Sequence, residues 1–186
     1  MIFVEGDDDK NFLISLLNDL KKNKEIILDE PVNFQNYIEV MGGKKKLLDS
    51  GHDKYEKSGM KIQKGDIKKA LFIFDCDFIE DDNQCNGMQN SENCYGELIT
   101  KLNWDISSDY YIFDKNLDYF LIETIKDKEC YGSFDDLVQC LDIETVKPNK
   151  KPIANLYRDL YPYPKFDFKD EKFITLKQKL HNLFNN

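Results

Sequence analysis

ALFIFDCDF, residues 70–78, is the stretch on which the reading of this chain turns. Leu71 to Phe74 form a continuous apolar run that stops at Asp75, and Asp77 follows after one intervening residue, Cys76. A short run without polar alternation is the habit of a strand covered on both faces, as in a parallel sheet. Carboxylates at the end of such a strand stand outside the carboxyl edge of the sheet, where open α/β sheets place their ligands. Alternation along the strand predicts that Asp75 and Asp77 point to the same side. Carboxylates that close repel each other unless a cation lies between them, and an all-oxygen donor set suits Mg²⁺ or Mn²⁺. The competing reading is two acids opening a solvated loop.

Upstream of this strand, Ile2 to Glu5 reads as a short apolar strand broken by Gly6. Asn11 to Leu20 follows as an amphipathic helix, its apolar residues Phe12, Leu13, Leu16, Leu17 and Leu20 recurring at three- and four-residue steps. Asp7, Asp8 and Asp9, before and in its first turn, cap the helix and suit its positive end. A second strand is predicted at Tyr37 to Val40, then a Gly42–Gly43 turn, then a helix from Lys44 to about Tyr55. A strand, a double glycine and a helix start form an approach for phosphate through outward-facing amides, with Lys44 adding charge. A plain strand-to-helix turn is the alternative. Gly59 to Lys69 reads as a lysine-rich connection.

Downstream, Glu80 to Asn93 reads as a polar loop and Tyr95 to Leu102 as a helix. A fourth strand at Tyr110 to Phe113 ends at Asp114, and Asn116 to Lys126 is a helix carrying Asp118 and Glu123. Ser133 to Leu141 reads as a further helix, Tyr157 to Phe168 as an aromatic, proline-punctuated linker, and Lys172 to Phe184 as a last amphipathic helix. The alternation of strands and helices predicts an α/β fold with a mostly parallel four-stranded sheet. Residues 1–132 would form the core and residues 133–186 a helical C-terminal appendage packed on it. Glu5, Asp75, Asp77, Asp114 and Asp118 would then lie along one sheet edge. Strands one and three are expected to be neighbours, because only adjacent strands, ~4.8 Å apart, bring Glu5 and Asp75 to one ion.

Composition narrows the partners. The 186 residues have a formal net charge of -9, with Arg158 as the one arginine. Broad neutralisation of phosphates requires a basic surface. A nucleic-acid role must therefore rest on a local lysine patch, a metal or a partner protein. No apolar run reaches the ~18 residues of a membrane span, and the N-terminal stretch turns acidic at once, unlike a signal peptide. The five cysteines are widely spaced and include no C-x-x-C, which predicts free thiols in a reducing cytoplasm. A zinc site from Cys85 and Cys94 is the alternative reading. The residues leave the oligomeric state open.

VEGDDDKNF at Val4–Phe12 and FIFDCDF at Phe72–Phe78 together resemble the signature motifs of the Toprim domain, the catalytic module shared by topoisomerases, bacterial primases and several nuclease families. That pattern is a glutamate followed by glycine at the end of strand one, then a D-x-D at the end of a later strand. The order and the separation of about seventy residues agree. VMGGKKKLL at Val40–Leu48 resembles the glycine-rich turn after strand two in the compact nuclease branch. LDYFL at Leu117–Leu121 resembles the acidic motif of overcoming-lysogenization-defect nucleases, with Asp118 in place of the usual glutamate. The resemblance spans Met1 to Ile125.

It implies a three-layer, Rossmann-like core and Mg²⁺- or Mn²⁺-dependent phosphoryl transfer on nucleic acid, with phosphodiester hydrolysis by a stand-alone nuclease, in defence or RNA processing, as the leading reading. Asp75 and Asp77 would hold the metal with help from Glu5 or Asp118, and Glu5 would otherwise exchange a proton, since crowded carboxylates have raised pKa values. Gly42, Gly43 and Lys44 would approach phosphate. Two alternatives stand beside it. One is a non-catalytic binding or regulatory protein on a Toprim-like fold. The other is a haloacid-dehalogenase-like phosphatase, whose D-x-D normally ends the first strand, whereas FDCDF ends the third.

Overall fold

The computed structural model describes residues 1–28, 32–79, 84–124 and 168–185. Its central strand is β3 (Lys69–Asp75), buried at every position from Ala70 onward. On one side lies β1 (Ile2–Val4) and beyond it β2 (Ile38–Val40), and on the other lies β4 (Ser107–Phe113). The order is β2-β1-β3-β4 and every pairing is parallel, with Val4 opposite Ile73 and Asp75 opposite Phe113. Because all strands run one way, Glu5, Asp75 and Asp114 come off the same edge.

Among the described residues the sheet is flanked by the helices α1 (Asp7–Lys22), α2 (Lys44–Leu47), α3 (Asp53–Gln63), α4 (Met88–Leu102), α5 (Leu117–Glu123) and α6 (Ile174–Phe184). Strand alternation sorts the core into two layers. Leu71 and Ile73 pack with Ile2, Val4 and Phe113 under the apolar faces of α1, α5 and α6. Ala70, Phe72 and Phe74 pack with Phe3 under Tyr55 of α3 and Tyr95 and Leu98 of α4. Phe3 stacks on Phe72 at 5.0 Å between ring centres, and Trp104 closes on both.

Several elements differ from their predicted extents, most of all α1, the helix after the Gly-Gly turn and α4. α1 starts at Asp7 rather than at Asn11, so all three aspartates fall in its first turn, and the Asp9 carboxylate accepts a hydrogen bond from Gly6 N at 2.8 Å. The helix predicted from Lys44 to Tyr55 is two helices, because Gly51 interrupts it and His52 caps α3 by accepting from Lys54 N through Nδ1 at 3.2 Å. α3 therefore occupies much of the stretch read as a connection. It was hidden because Gly59 stands where it meets Trp104 and few of its positions are apolar. α4 begins at Met88, inside the predicted polar loop, since its first turns are solvated and carry no apolar period. The expected helix at Ser133–Leu141 and the linker at Tyr157–Phe168, except Phe168, lie outside the described residues.

The described part of the C-terminal extension is a constituent of the core. Phe173, Leu176 and Leu180 are 0 % exposed and share one cluster with Ile2, Val4, Leu71 and Ile73. Lys179 pairs with Asp109 of β4 at 2.7 Å and fixes the rotation of α6 on the sheet. Truncating Leu180 to Ala should cost about 2–5 kcal/mol, the range for a buried leucine whose cavity cannot collapse. Urea unfolding of the parent and Leu180→Ala checks this, and an unchanged midpoint would place α6 outside the cooperative unit.

Candidate functional site

The carboxyl edge of the sheet opens into a cleft of about 290 Å³ lined by Glu5, Asp7, Asp8, Asp75, Asp118, Gly42 and Gly43, among others. Glu5 stands where β1 ends, and its main-chain carbonyl accepts from both Gly42 N and Gly43 N at 2.8 Å. This double acceptance requires a sharp turn, which Gly42 and Gly43 supply at φ 86° and φ 119°. The Glu5 side chain is only 7 % exposed, and its Oε1 accepts from Asp75 N at 2.8 Å. Asp75 is 2 % exposed, and its Oδ1 accepts from Leu117 N at 3.0 Å at the start of α5. Backbone N–H donors favour the charged form of a buried carboxylate, so these bonds offset part of the desolvation cost.

Asp77 is placed differently from its prediction. β3 ends at Asp75, and Asp77 turns into the left-handed region at φ 57°. Alternation therefore no longer applies, and Asp77 does not line the cleft. Its Oδ2 pairs with Lys44 Nζ at 3.5 Å, and its amide donates to Lys115 O at 2.7 Å. Asp118, from the next helix, lines the cleft with Glu5 and Asp75.

The Lys44 side chain is committed to protein partners. It is 10 % exposed and turns inward, donating to Cys76 O at 2.8 Å, Ser91 Oγ at 3.1 Å and Asn86 Oδ1 at 3.4 Å. It is an internal cation that ties the Gly-Gly turn to the turn after β3 and to the start of α4. Nothing in the sequence spacing links Lys44 to Asn86 or Ser91, so this lock was not legible. Gly42 and Gly43 stay at the cleft wall, but their amides are committed to Glu5.

The cysteine reading is corrected at the same place. Cys85 and Cys94 are joined in a disulfide with Cα atoms 5.8 Å apart, one residue from Asn86 and within the same turn and helix that Lys44 grips. They are neither free thiols nor a zinc site, and the free-thiol argument for a reducing compartment falls with them. Cys76 is free and buried. Burial pushes its thiol pKa up, although Lys115 N donates to Sγ at 3.0 Å. Cys130 and Cys140 lie outside the described residues. Among those residues, no helix is long and apolar enough to cross a membrane.

Among the described residues no three or more His, Cys, Asp or Glu side chains form a metal-holding group. Mg²⁺ does not need an all-protein cage, since one or two carboxylates completed by water and substrate phosphate commonly hold it. The hard oxygen donors of Glu5, Asp75 and Asp118 fit that mode, whereas Asp77 is turned to Lys44. No family model, curated protein or solved structure matches the chain.

Replacing Lys44 by Met keeps the apolar stem and removes the cation. It should cost about 1–3 kcal/mol, since partly buried acceptors lose their donor. Amide exchange should quicken at Gly87, whose N–H donates to the same Cys76 carbonyl at 2.8 Å. Hydrogen exchange read by NMR checks this, and unaltered protection at Gly87 and Ser91 would refute the lock.

Proposed function

We propose that the cleft is the site of a Toprim-type, metal-dependent phosphodiester hydrolysis on nucleic acid. The observation that supports this best is the direct bond between the ends of β1 and β3. Glu5 and Asp75 are 70 residues apart, yet the side chain of one accepts the amide of the other at the carboxyl edge of a parallel sheet. Buried carboxylates gathered at that edge exceed what capping requires, because α1 already has its own acid at Asp9. A bound divalent ion would neutralise phosphate charge and lower the pKa of an attacking water.

On this reading Asp75 and Asp118 hold the ion. The Leu117 amide fixes the Asp75 carboxylate, so its orientation does not depend on substrate. Glu5 has a rigid seat between the Gly-Gly turn and β3, suited to moving a proton at the scissile phosphate, because a general base acts only within hydrogen-bond reach of its proton. Asp77 serves through Lys44 and orders the turn that follows β3. This changes the division of labour within D-x-D, with Asp75 as the ligand and Asp77 as the positioning residue.

One observation favours a second reading, a binding or regulatory protein on the same fold. An internal lysine already satisfies Asp77, as in a site that no longer presents both aspartates. The phosphatase reading has less support, since Asp75 is 2 % exposed and its Oδ1 accepts the Leu117 amide, which restrains it as a nucleophile.

Asp75→Asn and Glu5→Gln both retain the oxygen that accepts a backbone amide, so both variants should fold. Mg²⁺ or Mn²⁺ should raise the melting temperature of the parent and of Glu5→Gln, and should not raise that of Asp75→Asn, because only a ligand bound to the native state stabilises it. Glu5→Gln should lose nucleic-acid cleavage by about 10²-fold or more, the usual share of a general acid or base. Equal metal stabilisation of parent and Asp75→Asn would defeat the metal reading. Metal binding without cleavage of any DNA or RNA would favour the regulatory one.

A further inference from the structure

At the carboxyl edge of the sheet stand two aromatic rings that neither hydrophobic core uses. Phe78 and Tyr119 meet edge to face, with centres 5.5 Å apart and planes at 75°. Lys115 Nζ lies 4.9 Å from the Tyr119 ring centre and 6.0 Å from that of Phe78. Both rings are partly exposed and Lys115 is exposed. Each member directly follows an acid of the sheet edge in sequence: Phe78 after Asp77, Lys115 after Asp114, and Tyr119 after Asp118.

The backbone holds this trio in place. Asp77 N donates to Lys115 O at 2.7 Å, and Lys115 N donates to Cys76 Sγ at 3.0 Å. Tyr119 N donates to Asn116 Oδ1 at 3.1 Å. Asp77 and Lys115 both take the left-handed region, at φ 57° and φ 62°, without being glycine. Two such residues facing each other store strain, which clusters at ligand sites.

We infer that Phe78, Tyr119 and Lys115 form a stacking platform that receives an unpaired base at this edge, so that the substrate is single-stranded nucleic acid. The inference rests on the proposed nucleic-acid function and narrows it. A net charge of -9 denies the chain broad phosphate neutralisation. Stacking on an aromatic face gives affinity that does not depend on net charge and tolerates any base. Lys115 places one cation where the adjoining phosphate would lie. A duplex keeps its base faces inside its own stack, so it cannot use the platform.

The test is equilibrium binding to fluorescein-labelled oligodeoxythymidylate and oligouridylate of about 12 nucleotides, within the range of single-strand site sizes. The full chain is used in a Glu5→Gln background with Mg²⁺, so that strands stay intact. Phe78→Ala and Tyr119→Ala should each weaken binding ~5- to 100-fold, and Phe78→Trp should restore it. Lys115→Gln should flatten the salt dependence by about one phosphate contact. A duplex of matched sequence should bind more weakly than either strand. Neither ring belongs to a core cluster, so melting temperatures should stay near that of the Glu5→Gln protein. Tight binding that survives both alanine variants, preference for duplex, or no single-strand binding would overturn the platform. Platform-dependent binding without metal binding or cleavage by the parent would instead defeat the hydrolase reading and leave the platform standing.

Discussion

Glu5 is the residue on which the carboxyl edge depends. Its carbonyl oxygen holds two amides of the Gly-Gly turn after β2, and its carboxylate holds the amide of the last residue of β3. The ends of β1, β2 and β3 are thereby fastened at one residue. Asp75 extends the chain of bonds by accepting the first amide of α5. Buried carboxylates are costly unless hydrogen-bonded, and here the donors are backbone groups that strand and helix ends leave without partners. One set of bonds therefore stabilises the acids and gathers the elements that carry them.

Lys44 organises the other half of the edge. A cation drawn inward makes the carbonyl of Cys76, the Ser91 hydroxyl and the Asp77 carboxylate face one point. The disulfide between Cys85 and Cys94 closes a short loop over the same region, and Ser91 Oγ donates to Cys85 O at 2.8 Å. Closing so short a loop removes conformational freedom from the unfolded chain. The edge thus has two zones: a cleft of acids bound by amides, and a rigid turn bound by a lysine and a disulfide.

The sheet was largely legible because β3 is buried on both faces and has no alternation to confuse. The acids Glu5, Asp75 and Asp118 were legible for a related reason, since each sits at the end of an apolar run or the start of a helix. Asp77 was misplaced because a two-residue period is meaningful only while the strand lasts, and β3 stops at Asp75. A left-handed residue with an ordinary side chain leaves no mark in the sequence. Lys44 was read as outward because most lysines are, and its inward turn depends on acceptors more than thirty residues away. Cys85 and Cys94 stand nine residues apart, a spacing that specifies no pairing. α3 escaped notice because Tyr55 alone carries most of its core contact, while Gly59 faces Trp104, so no apolar stripe marks it.

The distribution of the core along the chain has a consequence for the order of events at synthesis. β1 finds its central neighbour only when residues 69–75 have emerged, and the layer beneath α1 is completed only by Phe173, Leu176 and Leu180. A nascent chain that already carries every acid of the cleft therefore still lacks the helix that seals the sheet holding them. Contacts so distant in sequence form late, because loop-closure entropy precedes the reward of packing. Until α6 docks, the layer that covers this face of the sheet is incomplete, and the acids at its edge stand on an unsealed core. Docking of α6 would thus be a late step that completes the core on which the acidic edge rests.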